Sequence, residues 1–334
     1  MLFSQDIGID LGTGNTLVCA KNKGIIFREP SVVAVDVRTS PAKVVAVGEE
    51  AKQMMGRTPG SIIAVKPLKD SVIADYDVTA DMLKTYLRKA IAGSLFARAR
   101  ILICIPSCVT EVERKAVHDA AKAAGARYVS LIEAPMAAAI GAGLPVTEAA
   151  GTMVVDIGSG TAEVAVISLG DIVAARAVKT AGDAFDNAIV QYIRKTHNLL
   201  IGERTAEDIK ISIGSAASYS GEGAIIVKGR SLTDGLPATA EITSADVRQA
   251  LSEPLSRIIE AIKTTLEKTP PELSGDIISS GITLTGGAAQ LRGLDTLIAK
   301  ETGMKVKVAE NPIDCVVTGI AICLQKDTLN IYKN

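Results

Sequence analysis

At 334 residues and 48% hydrophobic side chains, the chain is long enough to bury two cores. Its 36 basic and 37 acidic residues leave a formal charge of −1, which argues against a general nucleic-acid binder. The five scattered cysteines make no zinc set and are read as buried, reduced thiols. No apolar run reaches the ~18–20 residues needed to cross a bilayer, and "MLFSQD" has no signal-peptide pattern, so a soluble, cytoplasmic protein is expected.

In chain order, "DIGIDLG", "NTLVCAKN" and "SVVAVDV" read as strands, and residues 72–96 as a helix. "ARILICIPS" is a buried strand. "TEVERKAVHDAAKAAG" is a helix with Thr110 as N-cap, Glu113 in the capping-box position and Gly125 at its end. "YVSLIEAPMAAAIGAGLP" is a strand followed by a small-residue helix. The grammar restarts at "GTMVVDIGSG". Helices follow in "GDAFDNAIVQYIRKTHNLL" and "GERTAEDIKISIG", then a strand-rich stretch from Gly223 to Ser244. A long helix runs from there to Pro271, and "GITLTGGAAQLRGLDTLIAK" is a strand-turn-helix. The pattern is α/β with mixed sheets.

"DLGTGNTLV" at 10–18 returns as "DIGSGTAEV" at 156–164, 146 positions on, and Gly24 matches Gly170 at the same offset. Each copy reads as a hairpin: a strand ending in Asp, a Gly-x-Gly turn, a second strand. Such spacing indicates a duplicated core of two related lobes. Glycine turns bring backbone N–H groups close to an anion. A carboxylate beside a phosphate needs an intervening cation, so Asp10 and Asp156 point to Mg²⁺ held through water. Two such hairpins are expected to clamp a polyphosphate, and "TGG" at Thr285–Gly287 adds a third glycine turn. The pattern is neither a Walker loop nor a dinucleotide fingerprint, because its glycine turn leads into a strand. His118 and His197 are read as surface histidines. Asp183 and Asp186 are read either as a turn beside a ligand or as an N-terminal helix charge pair.

These three turns, with "EPSVVAVD", "LIEAPMAAAIGAGLPV", "GERTAEDIK" and "TTLEKTPPELSGDI", resemble the MreB family of bacterial actins, within the actin and sugar-kinase superfamily. The resemblance implies an actin-like fold with two duplicated lobes, each a mixed sheet flanked by helices, and a nucleotide cleft between them. It implies domain I at 1–149, with a small subdomain at about 30–75. Domain II would span 150–312, with a small subdomain at about 182–243, and a C-terminal helix within 313–334 would return to domain I. ATP or ADP with Mg²⁺ would be the cofactor. Gly12, Thr13, Gly14 and Asn15 would hold phosphate from one side, and Gly158, Ser159, Gly160 and Thr161 from the other. Glu207 and Lys210, three apart on one helix face, would reach ribose and adenine, and Gly286, Gly287 and Ala288 would lie near the base.

The family's helix opens Glu-Glu-Pro, and the Glu before Pro orients the attacking water. Here Glu133 remains but Ala134 precedes Pro135. Loss of such a carboxylate removes about 10²–10⁴ in rate, so hydrolysis is expected to be impaired. Glu133 is expected to point elsewhere, since neighbouring helix positions diverge by about 100°. Thr161 is carried as a further catalytic candidate. Ala288 stands where the family has a third glycine; were its backbone left-handed, it would cost on the order of 1–2 kcal/mol. The resemblance also implies paired head-to-tail protofilaments and binding to the inner face of the cytoplasmic membrane through Leu2, Phe3, Leu95 and Phe96. Arg98 and Arg100 would favour anionic headgroups, and cell-wall or motility machinery would be partners. A chaperone-type ATPase and a small-molecule kinase are the alternatives within the superfamily.

Overall fold

The computed structural model describes residues 4–40, 42–58, 60–91 and 98–326. Leu2, Phe3, Leu95 and Phe96 lie outside them. Contacts divide the chain into two units, one of Met1–Thr147 with Ile313–Asn334, the other of Glu148–Pro312.

In the first unit, β1 (Ser4–Leu11), β2 (Asn15–Ala20) and β3 (Gly24–Pro30) form an antiparallel meander. A small sheet follows, built from β4 (Val33–Asp36), β5 (Lys43–Val47) and β6 (Ile62–Val65), with α1 (Glu49–Met54) beside it. The hairpin of β7 (Leu68–Lys69) and β8 (Val72–Ile73) leads to α2 (Tyr76–Ala90). Then come β9 (Arg98–Ile105), α3 (Glu111–Ala123), β10 (Tyr128–Glu133) and α4 (Ala134–Gly141). β9 and β10 add in parallel to complete a sheet of order β10-β9-β1-β2-β3.

The second unit repeats this plan. β11 (Thr152–Ile157), β12 (Ala162–Ser168) and β13 (Asp171–Val178) form the meander. α5 (Gly182–His197) and β14 (Leu199–Leu200) precede α6 (Glu203–Ile213), β15 (Ala224–Ser231) and β16 (Pro237–Thr243). α7 (Ser244–Lys268), α8 (Pro271–Ser280), β17 (Ile282–Thr285), α9 (Leu294–Thr302) and β18 (Val306–Val308) complete it. Its sheet order is β13-β12-β11-β17-β18, with β17 parallel to β11 as β9 is to β1. Even the pairing repeats at the sequence offset: Asp10 faces Leu17 and Asp156 faces Glu163. α10 (Cys315–Gln325) returns to the first unit.

Two helix boundaries differ from the sequence expectation. α2 starts at Tyr76 because the Asp75 carboxylate accepts the Val78 N–H at 3.1 Å, and residues 72–73 are spent in β8. The helix expected to run to Pro271 stops at Lys268, and α8 starts separately at Pro271. Proline is favoured at a helix's first position but pushes the residue before it out of helical conformation. Cys108 is exposed, unlike the other four cysteines, so the buried-thiol expectation fails there. No helix among the described residues is long and apolar enough to cross a membrane.

One face of the first sheet packs Ile7, Ile9, Ile101 and Ile103 against α2 and α3. On α4 and α10, small residues bring two helix backbones into contact. A methyl added at Gly141 would overlap the Cys315 carbonyl, and one at Gly319 the Ala137 carbonyl. This close crossing fixes the helix that begins at Ala134. Gly141→Ala and Gly319→Ala should therefore each destabilise by about 1–3 kcal/mol or more in chemical denaturation. Gly275→Ala, in open space on α8, should stabilise by about 0.4–1 kcal/mol. Equal effects at all three positions would contradict the crossing.

Candidate functional site

The turn between β11 and β12 is organised from behind by α5. Ala181 caps that helix without a side-chain bond, yet the first amides of a helix need acceptors. They find them in the loop: Gly182 N–H donates to the Gly158 carbonyl at 3.1 Å, and Asp183 N–H to the Ser159 carbonyl at 2.8 Å. A trans peptide holds its N–H opposite its C=O. With both carbonyls turned to α5, the N–H groups of Ser159 and Gly160 point to the other side. Neither has a partner among the described residues. The Ser159 hydroxyl is buried and also without a hydrogen-bond partner, which is uncommon for a buried polar group. Gly158 N–H closes the turn on the Thr161 carbonyl at 3.0 Å, and Thr161 is buried.

The equivalent turn between β1 and β2 is held by a serine instead. Ser31 is fully buried; its hydroxyl donates to the Gly12 carbonyl at 2.6 Å and its N–H to the Gly14 carbonyl at 3.0 Å. By the same planarity, the Thr13 N–H is turned away from Ser31. Thr16 shares the serine hydroxyl at 2.8 Å. The Thr13 hydroxyl accepts the Ser71 N–H at 2.8 Å, from a β7–β8 turn whose Asp70 and Ser71 are both left-handed. Asn15 opens β2, and a side chain at Gly12 would press on its carbonyl. Ser31 lies 19 positions beyond Gly12, between β3 and β4, and although it falls within "EPSVVAVD" no local spacing ties it to the turn.

Asp10 and Asp156 occupy equivalent places near the ends of β1 and β11. Thr285 lies opposite Asp156 on β17, and its hydroxyl donates to the carboxylate at 2.8 Å. Burial pushes the Asp156 carboxyl up to about 6, against the lowering effect of that bond. Gly286 has φ +85 and no room for a side chain against the Ile157 backbone. Gly287 opens a 3₁₀ turn, Gly287–Gln290, that contains Ala288. Ala288 is not among the left-handed residues, so the strain expected there does not arise.

Lys210 is turned inward. Its ammonium lies 2.8 and 2.9 Å from the Asp186 carboxylate oxygens and 3.3 Å from the Gly182 carbonyl. Burial raises the Asp186 carboxyl to about 6 even with Lys210 opposing it. Glu207 is part-buried on the same helix. Ala134 is buried at the start of α4, and Glu133 before it approaches the Arg114 guanidinium at 4.0 Å. Arg100, expected to face lipid headgroups, instead binds the buried Asp6 through two bonds of 2.7 and 2.5 Å. His197 is not a plain surface residue: its Nε2 is buried without a partner.

The family profile of the MreB/Mbl proteins matches residues 4–331. The chain belongs to the MreB/Mbl family. It is 51% identical to the cell shape-determining protein Mbl of Bacillus subtilis strain 168, over 97% of this chain and 96% of that one. It is 52% identical to the cell shape-determining protein MreB of Escherichia coli K12, over 95% and 92%. The crystal structure of MreB5 of Spiroplasma citri bound to ADP superimposes with a TM-score of 0.93 at 38% identity, covering all of both chains. The same protein bound to AMPPNP gives 0.93 at 39% identity, over 98% of each. The duplicated architecture is the actin-like fold that the sequence led us to expect.

Asp156 yields a prediction with a definite sign. Its folded pKa lies above the unfolded value, so the native state binds more protons between about pH 4 and 6. Stability without ligand therefore falls as pH rises through that window, and the penalty is complete above it. Asp156→Asn keeps an acceptor for Thr285 and should stabilise the ligand-free protein at pH 8 by roughly 1–3 kcal/mol. At pH 4 the gain should vanish. Denaturant titrations at the two pH values check this, and a gain that is larger at pH 4 would contradict it.

Proposed function

We propose that this chain is an ATP-binding actin-like protein that polymerises into membrane-associated filaments and organises cell shape and wall synthesis. The observation that carries the reading is the outward-turned Ser159 and Gly160 amides beside the unpartnered Ser159 hydroxyl. Two backbone N–H donors presented by a glycine turn suit phosphate oxygens. The Thr13 and Gly14 turn is built on the same plan. Relatives named as cell shape-determining proteins, and MreB5 bound to ADP and to AMPPNP, support the same reading.

Asp10 and Asp156 would hold Mg²⁺ through its waters, and the ion would neutralise the phosphates. The donor set fits: a carboxylate desolvated to a pKa of about 6 is stabilised by an adjacent cation. Nucleotide binding would act as a polymerisation switch, with head-to-tail subunits pairing as double protofilaments. Turnover would be slow, because Ala134 supplies no carboxylate and Glu133 faces Arg114. Leu2, Phe3, Leu95 and Phe96 would supply apolar contact with the inner membrane leaflet. Their small single-copy gain, about 1.5–3 kcal/mol per fully buried Leu or Phe, would be multiplied along a filament.

Negative-stain microscopy with Mg·ATP should show filaments that persist, and monomers at every concentration would refute the proposal. On polymerised protein, Ala134→Glu should raise phosphate release by about 10²–10⁴; equal rates would remove Ala134 as the cause of slow turnover. Filaments should also pellet with anionic vesicles, and Leu95→Ser/Phe96→Ser should abolish this. Unchanged pelleting would exclude that segment as the anchor.

A further inference from the structure

Ser31 stands where the chain leaves β3 for β4, the middle strand of the small sheet. Val32 N–H donates back to the Pro30 carbonyl at 2.8 Å and closes a three-residue turn with Ser31 at its centre. The turn presents both polar groups of Ser31 to the first glycine loop. Its hydroxyl donates to the Gly12 carbonyl at 2.6 Å and its N–H to the Gly14 carbonyl at 3.0 Å. A serine hydroxyl has one hydrogen. With that hydrogen on Gly12, the 2.8 Å contact to Thr16 is a bond that Thr16 donates. A directed chain results, from the Thr16 hydroxyl to the Ser31 hydroxyl to the Gly12 carbonyl, and each bond polarises the next. Tyr86 on α2 holds the turn from its other end, donating its hydroxyl to the Pro30 carbonyl at 2.9 Å. Burial pushes the Tyr86 phenol well above its ordinary range, so it remains a donor. Ser31 and Thr16 are fully buried, and Tyr86 nearly so. The hairpin itself does not require this chain. In the second unit Ala162 takes the place of Thr16, and β11 pairs with β12 in the same register without the hydroxyl. There the loop carbonyls go to α5 instead.

We propose that Ser31 is a positioning residue for phosphate, with Thr16 and Tyr86 acting through it. Its hydroxyl fixes the Gly12–Thr13 peptide, so that the Thr13 N–H stays turned toward the ligand. The inference rests on the nucleotide reading above and deepens it by naming what holds the first phosphate turn in place. It also ties the small sheet to that turn, because the residue that holds the loop is the one from which β4 departs. Without the Ser31 hydroxyl, the Gly12 carbonyl and the Thr16 hydroxyl each lose a partner in a buried place. The peptide then rotates to find another donor, and the Thr13 N–H turns with it.

The test is a set of equilibrium titrations of the full chain with magnesium tripolyphosphate and with Mg·ATP. Ser31→Ala, Thr16→Val, their double variant and Tyr86→Phe are compared with the unaltered protein. Val117→Ala, which thins the same unit's core on α3 and leaves the turn alone, is the control for lost stability. Ser31→Ala should lose affinity for both ligands in parallel, by about 10-fold or more, the scale of removing a support behind a ligand-binding group. Thr16→Val and Tyr86→Phe should lose less, the double variant no more than Ser31→Ala alone, and Val117→Ala should bind as the unaltered protein does. In ¹H–¹⁵N spectra, saturating tripolyphosphate should shift the Thr13 amide in the unaltered protein and much less in Ser31→Ala. Full tripolyphosphate affinity in Ser31→Ala, or an equal loss in Val117→Ala, would overturn the proposal. Losses that add in the double variant would contradict the place of Thr16 behind Ser31. Should Ser31→Ala not fold, Thr16→Val decides, since it removes the donor to Ser31 at nearly constant volume; unchanged tripolyphosphate affinity there would overturn the proposal. Failure of the unaltered protein to bind either ligand would instead refute the nucleotide reading itself.

Discussion

A planar peptide cannot point its carbonyl and its N–H the same way. That constraint sets which way two glycine turns, one in each unit, present their amides. α5 needs acceptors for its first amides and takes the Gly158 and Ser159 carbonyls; the N–H groups on the far side of those peptides are thereby presented outward. In the other unit Ser31 does the same work with one hydroxyl and one amide. The glycines allow the turns, but the groups behind them decide which way the turns face.

Much of this was legible in the sequence. The 146-residue repeat predicted two hairpins of one design, and the pairing of β1 with β2 matches that of β11 with β12 residue for residue. Strand ends, glycine turns and capping residues are local signals, and a repeat doubles their weight. What supports the loops was not legible. Ser31, Thr285 and the Gly182 and Asp183 amides reach their partners through contacts between distant segments, and nothing in "EPSVVAVD" says that its serine reaches the first glycine turn. The orientation of Lys210 was missed for the same reason. Its spacing from Glu207 places both on one helix face, but only the packed partner shows that Asp186 occupies the ammonium. Ala288 erred in the other direction: an alanine among glycines suggested strain, and the backbone there is ordinary 3₁₀.

The structure also separates what the fold requires from what the site requires. The α4–α10 crossing at Gly141 and Gly319 is pure packing, and it holds the helix whose first residue is Ala134. Asp156 is the reverse. Its desolvated carboxylate opposes folding at neutral pH, so it is not there for stability. The glycine turn of the second unit is held from behind by α5, and in the first unit α4 starts at Ala134 with no carboxylate of its own.

A crystal structure of the chain with Mg·AMPPNP tests the central claim most directly. Phosphate oxygens should lie within hydrogen-bond distance of the Ser159 and Gly160 amides and the Ser159 hydroxyl, with Gly182 and Asp183 still bonded to the loop carbonyls. A triphosphate bound away from that turn, or a turn whose carbonyls have left α5 to admit it, would contradict it.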